Sequence, residues 1–265
     1  MTDPVTLLPV AVEAVATARR VIASRETTSV DFKGERDMVT DVDLAVEEAV
    51  RGFLEKETPE IGFLGEEHGR TGPAGDAPWW VLDPVDGTAN FARGIPLCGV
   101  SLALVQGRTS VLAAIDLPFL DVRYTAAAGH GAYAGEHRLR VSGTRELPEA
   151  MISLGDFAVG PGSEEKNRAR LALLALLGRH AQRVRMVGSA AIDLAWVAHG
   201  MLDATVILAN RPWDTMAGVL LVREAGGVVL DQDGTDHTTD SAATIAFCPA
   251  LRGPLMDALH QALHG

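Results

Sequence analysis

Cysteine is scarce in this chain, which has only Cys98 and Cys248 among its 265 residues. The two lie far apart, so the sequence does not indicate a small fold held by disulfides. No apolar run reaches the length that spans a membrane, and no basic segment followed by a short apolar segment opens the chain. We therefore expect a cytoplasmic protein without a membrane partner, in which both cysteines are buried thiols.

Basic residues are few relative to acidic ones, with 23 lysines and arginines against 35 aspartates and glutamates and a formal net charge of −12. Non-specific nucleic-acid binding needs a basic surface, so no nucleic-acid partner is expected. Aromatic residues make up only 5%, whereas hydrophobic residues reach 47% and there are 27 glycines. This composition predicts a sizeable aliphatic core with many turns, in a chain of mixed helix and sheet.

The segment 79–91, which reads WWVLDPVDGTANF, is the most informative in the chain. Its apolar start predicts a buried strand, and because Pro84 cannot donate a ladder hydrogen bond, the strand should end there. Asp83 and Asp86 then lie three positions apart. Gly87 allows a positive φ or a close approach of the backbone to a ligand. Carboxylates in this pattern suit hard divalent cations, on which a phosphate can rest.

An ordinary Asp-Pro/Asp-Gly turn would explain the same short string, so other acidic positions bear on the interpretation. Thr40 and Asp43 begin a predicted helix as a capping box, which needs no function, although Asp43 can also reach a metal site. Glu66 follows a short apolar strand at 61–64, and neighbouring strands that end at the same sheet edge would bring their acids together. A solvated loop is the alternative for Glu66 and Glu67.

Two segments in the second half of the chain begin predicted helices. Gly188, Ser189 and Ala190 follow a predicted strand, and their small size at a helix start suits an anion, while Ser189 is equally well explained as an N-cap. Asp214 is predicted to be the N-cap of a helix that runs to Ala225. Its carboxylate can also point toward the acids of the first half.

The elements predict two domains. Residues 1–142 carry two amphipathic helices, at 4–24 and from Thr40, and a series of strands that predicts one large antiparallel sheet backed by those helices. The composition shifts at 142–148, and strands then alternate with helices, which predicts a smaller α/β domain at 143–265, from which Asp214 can complete the acidic site. Residues 24–37, with room for a short hairpin, and 68–78 are predicted loops.

Four motifs together resemble the signatures of the inositol monophosphatase family, and they are GEE at 65–67, DPVDGTANF at 83–91, GSAA at 188–191 and WDTMAG at 213–218. The resemblance covers essentially the whole chain. It implies a layered αβαβα sandwich of mixed α+β and α/β type, commonly a homodimer. It also implies Mg²⁺-dependent hydrolysis of a small phosphorylated polyol or sugar, with Mn²⁺ as a substitute ion and two or three ions in the site.

The resemblance also implies a role for each matching residue. Glu66, Asp83 and the Val85 carbonyl would hold the first metal, and Asp83, Asp86 and Asp214 the second. Thr88, paired with Asp43, would orient and deprotonate the attacking water, with Glu66 as a further catalytic group. The remaining implied substrate-binding positions are Gly87, Thr88, Ala89, Gly188, Ser189, Ala190, Asn210, Arg211 and Asp214.

The substrate is less well defined than the chemistry. Inositol-specific members carry a glutamate seven residues before the WD aspartate, and this chain has Ile207 there, with Asn210 and Arg211 as nearby polar candidates. We therefore expect an inositol-1-phosphate-like substrate, with histidinol phosphate and fructose 1,6-bisphosphate as alternatives. A non-catalytic regulatory or binding protein on a phosphatase scaffold is the alternative from another functional class, since some bacterial relatives associate with the transcription machinery.

Overall fold

The structure, a computed structural model, describes residues 3–24, 29–34, 37–72 and 77–264. The side chains of residues 32–34, 37 and 264 lie outside that description. Parts of the two predicted loops, at 25–28, 35–36 and 73–76, also lie outside the described residues.

Helices form the outer and central layers of the described chain. Short 3-10 turns precede the first and last helices, at Pro4–Leu7 and Pro249–Leu251. The α-helices are α1 (Leu8–Ser24), α2 (Asp41–Glu57), α3 (Thr88–Ala92), α4 (Ser163–His180), α5 (Ala190–Ala198), α6 (Pro212–Glu224) and α7 (Arg252–His264). The predicted helices at 4–24 and from Thr40 are confirmed, and α2 begins with the predicted capping box between Thr40 and Asp43.

Strands form a small hairpin and two sheets in the described chain. They are β1 (Val30–Gly34), β2 (Asp37–Thr40), β3 (Gly62–Gly65), β4 (Gly69–Thr71), β5 (Trp79–Asp86), β6 (Gly99–Gln106), β7 (Thr109–Leu117), β8 (Val122–Ala127), β9 (Gly131–Ala134), β10 (His137–Arg138), β11 (Met151–Leu154), β12 (Arg183–Arg185), β13 (Ala204–Ile207), β14 (Val228–Leu230) and β15 (Thr244–Phe247). The prediction of a loop throughout 68–78 was wrong at Gly69–Thr71. These residues form β4, which pairs antiparallel with β3.

The larger sheet has eight strands in the order β10-β9-β8-β7-β6-β5-β3-β4. It is antiparallel, as predicted, except that β3 and β5 run parallel with Gly65 opposite Leu82. The smaller sheet has the order β12-β11-β13-β15-β14. Its first three strands are parallel to one another, and β15 runs antiparallel to both of its neighbours.

The layers follow from the faces that each helix buries. Helices α1 and α2 cover one face of the eight-stranded sheet through an apolar cluster that includes Val15 and Val46. Helices α5 and α6 pack between the two sheets, and α4 and α7 cover the outer face of the smaller one. This confirms the αβαβα sandwich. The central cluster draws residues from both sides of position 142, and the two-domain division stays a prediction.

Strand β5 does not end at Pro84 as predicted but continues to Asp86. Asp83 pairs with Ser101 and Asp86 with Gly99, and the register shifts between these two pairs. Pro84 therefore lies inside a bulge, where a missing N–H breaks no ladder hydrogen bond. The prediction was wrong because it assumed a regular hydrogen-bond ladder. A proline interrupts a regular ladder, but it is tolerated where the ladder is already irregular.

Two further features concern the environment of the chain. Cys98 and Cys248 are both buried free thiols, as predicted. Among the described residues, no helix combines the length and the apolar character needed to cross a membrane.

Candidate metal centre

Three carboxylates from distant parts of the sequence meet at one edge of the large sheet. Glu66 directly follows β3, Asp83 lies near the end of the parallel strand β5, and Asp214 lies in the first turn of α6. Each offers a carboxylate oxygen, and these oxygens all lie within 4.8 Å of one another. Parallel strands bring their carboxyl ends to the same edge, so the convergence predicted for Glu66 and Asp83 follows directly from the β3–β5 pairing.

The position of Asp214 corrects one local prediction. Helix α6 begins at Pro212, and Arg211 is its N-cap residue, so Asp214 occupies the third helical position and its N–H bonds the Arg211 carbonyl at 3.0 Å. Proline is well suited to the first helical position because its fixed φ is already helical. Asp214 is thus not the N-cap residue, and its carboxylate joins the acidic cluster.

The bulge after Asp83 turns backbone groups toward the acids. The Val85 N–H donates to Asp83 Oδ1 at 3.0 Å, and the Val85 carbonyl accepts from Thr88 Oγ1 at 3.0 Å. Gly87 has φ 87°, as its residue type predicted, and a Cβ there would lie 2.9 Å from the Leu97 carbonyl oxygen. A side chain at position 87 would therefore disturb this turn through both strain and overlap.

Thr88 and Asp43 form the predicted pair. Thr88 Oγ1 lies 3.1 Å from Asp43 Oδ1, while Asp43 Oδ2 accepts from the Thr40 N–H at 2.9 Å and from the Thr40 hydroxyl. The interpretation of Asp43 as a cap is confirmed, and its other oxygen contacts Thr88, while its role at the metal site stays a prediction. Burial raises the pKa of Asp43, although hydrogen bonds from Thr40 and Thr88 oppose this.

Asp86 is held by the beginning of α5. Its carboxylate accepts from the Ser189 hydroxyl, from the Ala191 N–H at 2.9 Å and from the Ala190 N–H at 3.2 Å. Burial raises the pKa of Asp86 to about 6, and the Ser189 hydrogen bond counteracts part of that rise. The start of α5 thus binds the Asp86 carboxylate, and the substrate-binding role of Gly188, Ser189 and Ala190 stays a prediction.

Ser189→Ala is expected to lower the free energy of unfolding by about 1–2 kcal/mol. Ser189 Oγ accepts from the Ile192 N–H at 3.2 Å as the N-cap of α5, and the same hydroxyl donates to buried Asp86, so the alanine removes both bonds. Urea denaturation measures the loss. Ser189→Thr keeps the hydroxyl and serves as the control, and an alanine variant as stable as the parent would contradict this role.

A cleft of about 250 Å³ opens above these carboxylates. Among the described residues, its lining comprises Met38, Glu66, Asp83, Val85, Asp86, Gly87, Thr88, Ala89, Asp156, Gly188, Arg211 and Asp214. An adjoining cavity of about 200 Å³ shares Asp86, Asp156, Gly188 and Asp214 with it and is also lined by Ser189, Ala190 and Ile207. The structure thus brings most of the sequence-predicted site residues around one space.

Asp156 lines both spaces and was missed from the sequence. It follows β11 by two residues, so the rule that identified Glu66, an acid just past a strand, applies to it as well. Arg170 lines the adjoining cavity and was also missed. Its guanidinium donates to the backbone carbonyls of Asp156, Lys166 and Leu208, contacts that no short sequence pattern indicates.

Asn210 lies apart from the carboxylate cleft. Its amide donates to the Ser241 carbonyl at 2.9 Å, and its own carbonyl accepts from Thr215 Oγ1 at 2.6 Å. These bonds tie the start of α6 to the loop at 238–241. Its substrate-binding role stays a prediction, whereas Arg211 lines the cleft directly.

The carboxylates of this site repel one another unless a cation accompanies them. Burial, followed by the charges of Glu66, Asp86 and Asp214, raises the pKa of Asp83 well above its ordinary value. Among the described residues that line the cleft, only Arg211 is cationic. An oxygen-only donor set of carboxylates beside the Val85 carbonyl fits a hard divalent cation, and such an ion would relieve the repulsion.

Comparisons with known proteins agree with this geometry. A family model described as the inositol monophosphatase family matches residues 3–264. A probable inositol 1-monophosphatase, ImpA, of Mycobacterium tuberculosis is 39% identical over 245 residues, which cover 92% of this chain and 89% of that protein. Nus factor SuhB of Xylella fastidiosa is 39% identical over 217 residues, covering 82% and 77%. The crystal structure of extragenic suppressor protein suhB from Bartonella henselae has a TM-score of 0.87 at 33% identity, covering 96% of this chain and 98% of that one.

Proposed function

The chain belongs to the inositol monophosphatase family and is a phosphatase, and we propose that it hydrolyses a small polyol or sugar phosphate with Mg²⁺. The observation that carries this proposal is the meeting of Glu66, Asp83 and Asp214 in one cluster beside the Val85 carbonyl. Acids this close together, with Asp83 buried and Glu66 and Asp214 half-buried, are costly unless cations accompany them. A phosphomonoester supplies further negative charge, which makes cations necessary for binding as well as for chemistry.

Two of the groups that would hold Mg²⁺, the Val85 carbonyl and the Asp86 carboxylate, have acceptor capacity to spare. Glu66, Asp83 and the Val85 carbonyl would hold one ion, and Asp83, Asp86 and Asp214 a second, with Mn²⁺ as a substitute and room for a third ion left open. The Val85 carbonyl accepts one hydrogen bond but has two lone pairs, and Asp86 accepts three bonds at a carboxylate with about four acceptor sites. Bound Mg²⁺ would neutralise phosphate charge and lower the pKa of a water.

Thr88 and Asp43 would prepare the attacking water. Thr88 Oγ1 lies 3.1 Å from Asp43 Oδ1 and 3.0 Å from the Val85 carbonyl oxygen. Its single hydrogen points to one of these acceptors, so the lone pairs of the oxygen can accept a hydrogen bond from a water in the cleft. As that water attacks phosphorus and the ester P–O bond breaks, one proton of the water would pass through the Thr88 hydroxyl to the Asp43 carboxylate. The departing alkoxide would take a proton from a solvent water in the cleft, which gives the free alcohol and inorganic phosphate. Glu66 would assist by orienting the same water. No serine or cysteine nucleophile is required.

Substrate recognition would divide between the two sides of the cleft. The backbone amides of Gly87, Thr88 and Ala89 would bind phosphate oxygens. Gly188, Arg211 and Asp214 would meet the leaving group, with Ser189 and Ala190 behind them. The Ala190 N–H already donates to Asp86, so its contribution to a ligand would be through shape rather than a free donor.

The leaving group is proposed to be a small polyol that is bound without strict selection. Ile207 lines the adjoining cavity, and an isoleucine cannot hydrogen-bond a ring hydroxyl as the glutamate of inositol-specific members does. We further propose that the protein is cytoplasmic and forms a homodimer, a state that light scattering coupled to gel filtration measures directly.

Phosphate release from a panel of esters with Mg²⁺ tests the proposed function. We expect hydrolysis of both myo-inositol 1-phosphate and glycerol 2-phosphate, with kcat/KM values within about tenfold of each other. The reason is that the Ile207 side chain cannot form the hydrogen bond to a ring hydroxyl that would favour the inositol ester. A preference of a hundredfold or more for histidinol phosphate or fructose 1,6-bisphosphate would transfer the assignment to that substrate. A folded protein that binds Mg²⁺ yet releases no phosphate from any ester would contradict the proposal.

Thr88→Val serves as the control that attributes this activity to the site. It should reduce kcat by roughly a hundredfold, since it removes a general acid–base relay, while leaving Mg²⁺ affinity close to that of the parent. Thr88→Ser keeps the hydroxyl and should retain much of the rate. Equal activities in all three proteins would point to a contaminating phosphatase.

A non-catalytic role is the second candidate, because the relative from Xylella fastidiosa bears the name Nus factor. The carboxylate cluster and the Thr88–Asp43 pair are both assembled in this chain, which favours catalysis. A scaffold function would be indifferent to an isosteric substitution in that cluster, whereas catalysis would not.

A further inference from the structure

Glu47 is a fully buried carboxylate on α2 that the proposed mechanism does not use. It is 0% exposed, and it lies one helical turn beyond Asp43. Its Oε2 accepts from the Glu67 N–H at 2.8 Å, and its Oε1 accepts from the His68 N–H at 2.9 Å. His68 Nδ1 also lies 2.8 Å from Oε1. Both carboxylate oxygens are therefore directed at the turn that follows Glu66.

Gly65 makes this approach possible. A Cβ added at Gly65 would overlap the Glu47 carboxylate, although the backbone there does not have a positive φ. The N–H of the next residue, Glu66, bonds the Leu82 carbonyl at 3.2 Å and continues the pairing of β3 with β5. Glu66 is thus fixed on one side by the sheet and on the other by Glu47.

The chemistry of Glu47 suits this task. Burying a carboxylate is unfavourable unless hydrogen bonds replace its hydration, and here two backbone amides and an imidazole do so. Because an ionised carboxylate only accepts hydrogen bonds, it can satisfy all these donors at once, which a carboxamide cannot. Glu47 is not among the described residues that line the cleft, so its effect on the cleft is transmitted through the turn.

We propose that Glu47 is a positioning residue that holds the turn at 65–68 so that the Glu66 carboxylate meets Asp83 and Asp214. The inference rests on the proposed function, in which Glu66 is a metal ligand. Helix α2 would then position two parts of the site from residues one helical turn apart. Asp43 bonds Thr88, and Glu47 bonds the turn that follows Glu66. The identity of the residue at position 47 should therefore control cation affinity more than chemistry.

Cation binding by Glu47→Gln tests the inference, with Glu48→Gln as the matched control. Glu48 is the next residue on α2 and is exposed, so the control makes the same chemical change without touching the turn. We expect Glu47→Gln to raise the Kd for Mn²⁺, measured by electron paramagnetic resonance, at least tenfold. The Mg²⁺ concentration for half-maximal phosphate release should rise similarly, while kcat at saturating Mg²⁺ stays within about threefold of the parent.

Hydrogen exchange in the metal-free protein provides a readout that does not depend on catalysis. The amides of Glu67 and His68 should exchange at least tenfold faster in Glu47→Gln than in the parent and in Glu48→Gln. If Glu47→Gln does not fold, Gly65→Ala displaces the same carboxylate without changing any charge and should show the same loss of Mn²⁺ affinity.

Two results would overturn the inference. One is a folded Glu47→Gln or Gly65→Ala protein whose Mn²⁺ Kd lies within twofold of the parent value, and the other is unchanged exchange at Glu67 and His68. Either result leaves the proposed function intact, provided that the parent binds Mn²⁺ and releases phosphate. A parent that does neither would overturn the proposed function first and this inference with it.

Discussion

Asp83→Asn is expected to reduce kcat/KM for phosphate release by about a thousandfold or more, which corresponds to roughly 4 kcal/mol of lost transition-state stabilisation. Asp83 is 3% exposed and lies in the cluster with Glu66 and Asp214, and it is the one residue proposed to bind both ions. The amide removes the charge but keeps the shape, and its oxygen can still accept from the Val85 N–H. The loss should therefore be one of cation binding rather than of folding.

The stability of the same variant separates this explanation from general damage. Because burial and neighbouring acids raise the pKa of Asp83, a neutral side chain there relieves repulsion, and metal-free Asp83→Asn should be at least as stable as the parent. Asp257→Asn, an exposed change on α7, is the matched control and should alter neither property. Retention of activity within tenfold would refute the assignment of Asp83 as a ligand of both ions, and a fall in stability would point to a structural role instead.

Mg²⁺ is expected to raise the Tm by roughly 10 °C at pH 7.5 when present at a thousandfold excess over its Kd, which corresponds to about 4 kcal/mol. The rise should shrink strongly at pH 5, because protons then compete with Mg²⁺ for the carboxylates. The pKa of Asp86 is raised from 3.8 to about 6, a shift that corresponds to about 3 kcal/mol, and burial likewise raises the pKa of Asp83. Scanning calorimetry with Mg²⁺ and with a chelator at each pH measures the difference.

The sign of this dependence follows from the direction of the shifts. A folded-state pKa above the unfolded value means that the metal-free folded protein binds protons more tightly than the unfolded chain, so the stability from these groups is present in acid and is lost as the pH rises through about 6. Buried His237 acts oppositely, since burial and Arg223 lower its pKa to about 4. His237 is not among the residues described as lining the cleft, so its contribution cancels between the Mg²⁺ and chelator scans. A Mg²⁺ shift of equal size at pH 5 and pH 7.5 would contradict the prediction.

Local features of this protein were predictable from short segments of sequence. The apolar stripe of α1, the Thr40–Asp43 capping box and the positive φ of Gly87 each depend on residues a few positions apart, and all three are confirmed. The end of β5 was mispredicted because the cost of Pro84 depends on the partner strand, whose register shifts there. Asp214 was mispredicted as a cap because Pro212 started the helix earlier.

The sequence by itself determined most of the helices and strands, their layered arrangement through the family motifs, and most of the acids that line the cleft. Only the tertiary structure decided which groups those acids contact. It showed that Asp86 occupies the start of α5, that Asp43 serves Thr40 and Thr88 with separate oxygens, and that Glu47 supports the turn after Glu66. The physical reason is the distance along the chain over which each effect acts. Backbone preferences and hydrophobic periodicity depend on residues a few positions apart. The electric field and the hydrogen bonds at a carboxylate depend on strands and helices that are distant in sequence and are brought together by packing.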